Sequence, residues 1–144
     1  MYKFESSVLI NRTAQDVFDF YTNPAKNAQW QSGTESSQWT SDGPPGVGST
    51  FKTVVSFLGR KIEAELEVTG WNPPNQVRIK SISGPIPFEA TNTFKAQEGG
   101  TLLTSTIQAE LGGFFKLAEG LVGKQMEKQV GSDTSALKML LESG

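Results

Sequence analysis

Chemistry in this chain has few residue types to draw on, because neither cysteine nor histidine occurs among its 144 residues. Without thiols there are no disulfides, thiolate nucleophiles or Cys-ligated zinc and iron–sulfur centres. Without imidazoles the usual general base, the usual partner of a nucleophilic serine and the commonest transition-metal ligand are gone. Carboxylates, Lys, Arg, Tyr, Ser and Thr remain. Two carboxylates, Glu119 and Asp133, fall on one apolar stripe of a predicted C-terminal helix. They cannot act as an acid/base dyad, since fourteen residues at roughly 1.5 Å rise set them about 21 Å apart. Either alone could orient the polar end of a ligand, or mark where the stripe leaves the interior and meets solvent.

Other candidate groups are small and neutral. By strand parity Ser6, Thr53, Asn92 and Ser105 share faces with apolar residues. Each could fix one polar group of a mostly apolar ligand, or bond neighbouring backbone or buried water. Arg12 and Arg60 fall in predicted turns and Arg78 on an outward parity, so no inward arginine is expected. Tyr2 and Tyr21 could donate protons, yet neither has a recognisable base nearby in sequence. The glycine-rich Asp42-Gly43-Pro44-Pro45-Gly46-Val47-Gly48 lacks the Gly-Lys-Ser/Thr ending of a phosphate loop and precedes a strand. It predicts a wide turn.

The elements that would position these groups follow from hydrophobic period. Tyr2 to Ile10 alternates as a strand, and Thr13 with Asp16 stands at capping-box spacing before a helix carrying Val17, Phe18 and Tyr21. That helix should stop at Asn23-Pro24, and a second short one should run from Pro24 to about Trp30. From Glu35 onward the period is that of strands. Ile62, Ala64, Leu66 and Val68 interleave with Lys61, Glu63, Glu65 and Glu67. If the turn at Trp71-Asn72-Pro73-Pro74-Asn75 sets the register, Glu67 lies opposite Arg78 and Glu65 opposite Lys80, a solvated face. Glu98-Gly99-Gly100 closes a hairpin, and a long helical pattern runs from Gly112-Gly113 to Leu141.

This succession resembles the START-like helix-grip superfamily, in particular its bacterial polyketide cyclase/dehydrase and lipid-transport branch. The likeness spans residues 1–144 as one domain. It is carried by the run from Val8 through Asn11-Arg12-Thr13 to Phe18, and by Trp30 after the second helix. Gly46-Val47-Gly48-Ser49-Thr50-Phe51, Val68-Thr69-Gly70-Trp71-Asn72-Pro73-Pro74 and the ending Leu137 to Glu142 match it too. The resemblance implies an α+β fold. A curved seven-stranded antiparallel sheet would wrap around a long C-terminal helix, with two short helices after the first strand. It also implies an apolar cavity between sheet and helix that holds a hydrophobic small molecule.

On that reading the cavity wall is expected to include Thr53, Val55, Leu66, Ile79, Phe88, Asn92 and Ser105 from the sheet. Val122, Met126 and Val130 would join them from a helical stripe that also holds Phe115, Ala118, Leu137, Leu140 and Leu141. Gly120, Gly123 and Gly131 interrupt this helix, each at about 0.8–1 kcal/mol against Ala. They suggest either close backbone packing or a gate hinged at Gly112-Gly113. Phe114, Leu117 and Leu121 form a second ridge, to be covered by a loop, by a second copy or other protein partner, or by a membrane surface.

Composition narrows the partners. Thirteen basic and fifteen acidic residues give a net charge of −2 without blocks of one sign, so no nucleic-acid footprint is expected. There is no signal-like apolar run and no membrane-length segment, so the expected location is cytoplasmic. No catalytic residue, metal or cofactor is assigned. Polyketide aromatase/cyclases of the superfamily generally rely on a pocket arginine, which is not expected here. The leading expectation is therefore a non-enzymatic carrier of a lipid or polyketide-like molecule. A cyclase/dehydratase-like enzyme and an accessory interaction module are the alternatives.

Overall fold

The computed structural model describes residues 2–57, 59–110 and 119–143. Alternating burial starts in strand β1 (Tyr2–Ile10), where Phe4 and Ile10 turn inward. Thr13 caps helix α1 (Ala14–Tyr21), its hydroxyl accepting from the Asp16 amide at 3.1 Å. Asn23 opens the next turn in the same way, and a 3-10 turn, Pro24–Lys26, runs into the short helix α2 (Asn27–Trp30). The strands β2 (Thr34–Trp39), β3 (Thr50–Phe57), β4 (Arg60–Asn72), β5 (Gln76–Ser83), β6 (Phe88–Gln97) and β7 (Gly100–Ala109) follow. The last described element is the long helix α3 (Glu119–Ser143). No helix among the described residues is long and apolar enough to cross a membrane.

The seven strands form one antiparallel sheet in the order β1-β7-β6-β5-β4-β3-β2. Local turn chemistry explains the meander. Between β6 and β7, Glu98 and Gly99 take φ of 38° and 79°, the positive values of a two-residue turn that follows strand twist. The glycine-rich segment before β3 is the wide turn expected, held by Gly48 N–H to the Val68 carbonyl at 2.9 Å. The expected β4–β5 register is corrected. Glu67 pairs with Lys80, Glu65 with Ser83, and Arg78 with Gly70. The cause is that Trp71 and Asn72 stay in the strand, which tightens the turn, while an irregularity between Val68 and Gly70 absorbs Thr69. The face is solvated as expected, with Lys80 and Glu67 ion-paired at 3.8 Å.

Among the described residues no other strand pairs the edges of the two outer strands, and α3 is fastened to both ends of the sheet. Lys138 donates to the Leu9 carbonyl at 2.6 Å, Arg12 Nε to the Leu141 carbonyl at 2.7 Å, and Asn11 N–H to Glu142 at 2.8 Å. Near the other end, Asp133 Oδ1 accepts from the amide and hydroxyl of Ser32, just before β2, at 3.1 and 3.3 Å. The curled sheet thus closes on the helix, the α+β helix-grip arrangement that the resemblance implies.

One core cluster joins Ile10, Val17, Phe18, Trp30, Val68, Val77, Phe94, Leu103 and Leu137. A smaller one gathers Tyr2, Phe57, Ile86, Phe88 and Met126 around Ala109 and Val122. Of the α3 glycines, close packing accounts for Gly123 alone, because a Cβ there would strike the Tyr2 ring, whereas Gly120 and Gly131 face open space. The expected hinge at Gly112-Gly113 lies outside the described residues, as do Phe114, Phe115, Leu117 and Ala118. Leu121, the described member of the second ridge, is 77% exposed.

Candidate functional site

A cavity of about 330 Å³ lies between the sheet and α3 and draws its wall from both core clusters. Strand alternation delivers its residues: every second position of β3 to β7 faces inward. Thr53 and Val55 of β3, Leu66 of β4, Ile79 of β5, Phe88 and Asn92 of β6 and Ser105 of β7 line it. Met126 and Val130 of α3 line it as well. Val122 does not. It is buried in a cluster with Ala109, next to Gly123 where α3 packs closely on the Tyr2 ring. Ser6 also stays off the wall and pairs across the sheet with Ser105.

Sequence reasoning missed the contribution of the helical segment. Tyr21 of α1, Asn27 and Trp30 of α2, and Trp39 and Trp71 of the sheet all line the cavity. The available signal was the aromatic spacing of Phe18 and Tyr21 with Trp30 close behind. These rings interlock: Tyr21 stands 5.3 Å from Trp30 and 5.5 Å from Phe94, while Phe18 meets Trp71 at 5.1 Å.

Polar groups gather at two places on this wall. Asn92, 1% exposed, accepts on Oδ1 from the hydroxyls of Tyr21 and Ser105, each at 2.7 Å. Burial pushes the Tyr21 hydroxyl up to about 12, only partly offset by the Ser105 hydroxyl. The phenol therefore stays protonated and donates. Asn92 Nδ2, Trp30 Nε1 and Asn27 Oδ1 are buried and have no hydrogen-bond partner among the described residues.

Asp133 marks the second place. It is not where the stripe meets solvent, as one of the two expectations had it, since it is 9% exposed and lines the cavity. Beside its two bonds from Ser32, Oδ1 accepts from Gln129 Nε2 at 2.9 Å. Burial raises its pKa, opposed by the Ser32 amide, Gln129 and the Ser32 hydroxyl. The side chain of Glu119 is not among those described. Arg12 binds α3 backbone, Arg78 is exposed, and no Lys or Arg among the described residues lines the cavity. Such a wall can hold an apolar molecule and bond its uncharged polar atoms.

Residues 1–142 match the family described as polyketide cyclase / dehydrase and lipid transport. No curated protein sequence matches the chain significantly. Among solved structures, a START superfamily protein from Mycobacterium smegmatis superposes with a TM-score of 0.86 at 15% identity, covering 99% of each chain. TTHA0849 from Thermus thermophilus gives 0.84 at 21% identity, covering 98% of this chain and 97% of that one. The di-domain ARO/CYC BexL of the BE-7585A biosynthetic pathway gives 0.75 at 17% identity, over 95% of this chain and 48% of that one. At these identities the likenesses establish the fold.

Proposed function

This chain belongs to the polyketide cyclase / dehydrase and lipid transport family, and from that premise we propose that it binds and carries a hydrophobic small molecule, lipid or polyketide-like, between sheet and α3. The observation that carries the reading is the cavity itself, about 330 Å³ and walled mainly by apolar side chains, including all three tryptophans of the chain. A volume of that size falls in the range of small-molecule sites. Carrying is favoured over conversion by the state of the ionisable groups on the wall. Tyr21 is held as a phenol, and the Asp133 oxygen that faces Ser32 and Gln129 already accepts three bonds. The Tyr21 phenol, at about 12, lies far from neutral pH, where general acid–base catalysis works best.

Native mass spectrometry of protein purified from its own host tests this directly. An apolar adduct is expected, and it should be lost in Ala90→Phe, which places a ring in the cavity between Ile79 and Ile107. Absence of an adduct, together with failure to bind any added apolar ligand, would overturn the proposal. The enzymatic alternative rests on the hydroxyls of Tyr21 and Ser105 meeting at Asn92. It requires turnover of a model polyketide that Tyr21→Phe abolishes.

A further inference from the structure

Hydrogen bonding around Asp133 is lopsided. Gln129 gives one Nε2 proton to Asp133 Oδ1 and the other to Ser32 Oγ. Ser32 gives both its amide and its hydroxyl proton to that same Oδ1. Every side-chain donor of the three residues is thus spent among themselves, and only acceptors are left over. Asp133 Oδ2 is one of these, without a partner among the described residues. Unlike Asn92 Nδ2 and Trp30 Nε1, it is not sealed off and keeps some exposed surface. Helix α3 turns Met126, Gln129, Val130, Asp133 and Thr134 to the cavity at helical spacing, while the adjacent Ser132 and Ser135 are exposed. With Oδ1 taken by Ser32 and Gln129, the open side of the carboxyl is the cavity side.

Resting on the carrier reading, we infer that the ligand is an apolar molecule bearing a hydroxyl, which donates to Asp133 Oδ2. Asp133 carries the only carboxyl on the cavity wall among the described residues. An apolar molecule filling the cavity displaces the water that would otherwise serve this oxygen, and a buried acceptor left unbonded is costly. A ligand hydroxyl restores the bond. A ketone or ester brings acceptors to an acceptor, and a carboxylate adds a like charge. An ammonium also donates, but it must shed a far larger hydration on entering a wall that holds no other charge. Burial raises the Asp133 pKa, and a hydroxyl suits the group in either state, donating to the carboxylate or accepting from the acid. Alcohols of apolar skeleton meet these demands; free fatty acids do not.

The test compares probes of equal chain length at neutral pH, read by the fluorescence of the tryptophans on the wall. The probes are undecanol, methyl nonyl ketone, undecane and undecylammonium. The alcohol is expected to bind roughly tenfold more tightly than the ketone or the alkane, the equivalent of one hydrogen bond to a carboxylate. Asp133→Asn keeps the shape of the side chain. With its Oδ1 still facing Ser32 and Gln129, it puts a donor where the free acceptor stood. The alcohol's advantage over the ketone should then vanish, and the ketone should gain several-fold over the alkane. Loss of a merely structural tie would not favour the ketone. Should Asp133→Asn fail to fold, the order of the probes on the wild type still decides. Equal affinity of alcohol and ketone, an unchanged order in Asp133→Asn, or tightest binding of undecylammonium overturns the inference while leaving the carrier reading intact. No binding of any probe overturns both.

Discussion

Asn92 occupies the point where the interior's polar pairing is decided. It is a buried amide on β6 that takes two hydroxyl protons and whose own donor has no partner among the described residues. Tyr21→Phe removes one of those protons and should cost about 1 kcal/mol of stability at neutral pH, read by urea unfolding. The same variant tests the phenol's titration. The folded-state pKa of about 12 exceeds the ordinary 10.0, so the folded state holds this proton more tightly. Its contribution is present in full below pH 10 and is lost as pH rises toward 12. Unfolding curves across that window should therefore show a steeper loss of stability in the wild type than in Tyr21→Phe; equal slopes would contradict the buried phenol. Asn92 and Ser105 were legible from strand parity, because alternation fixes which face a residue occupies. Tyr21 and Trp30 were not, since helical spacing shows that a face is apolar without showing what it meets.

Helix α3 shows how an element can be legible in outline and not in detail. Its apolar stripe placed Met126 and Val130 on the cavity and Leu137 in the core, as the period requires. The same stripe misplaced Val122, because the close approach of Gly123 to Tyr2 is a contact between residues distant in sequence. Gly131 faces open space, so Gly131→Ala should raise stability by about 0.8–1 kcal/mol. Gly123→Ala should lower it by about 1–3 kcal/mol, because the Tyr2 ring must move. Thermal or urea unfolding of the two variants measures both signs. If both instead gain stability and ligand exchange is unchanged, neither packing nor gating explains the glycines. In the β4–β5 hairpin, alternation identified the strands, yet the register differs because Trp71 and Asn72 stay paired up to the turn, which a period-two pattern cannot show.

At the scale of the molecule, the sheet curls round α3, and bonds at both of its ends keep the helix in place without filling the space beneath it. The fold was legible because independent segments agreed in order along the chain. The cavity's volume was not, because it depends on how far apart sheet and helix are held. Lack of cysteine and histidine, at first a set of excluded chemistries, fits a wall of apolar and small neutral groups suited to holding a molecule. Ala90→Phe should weaken binding of methyl nonyl ketone at least tenfold while thermal stability holds or rises, since the ring replaces empty space with contacts. The central claim, an apolar ligand inside the grip, is tested most directly by methyl-resolved NMR during titration with that ketone. Shifts concentrated at Leu66, Ile79 and Met126 on the cavity wall are the predicted result. Shifts confined to the exposed Leu9, Ile82 and Met139, or none at all, would contradict it.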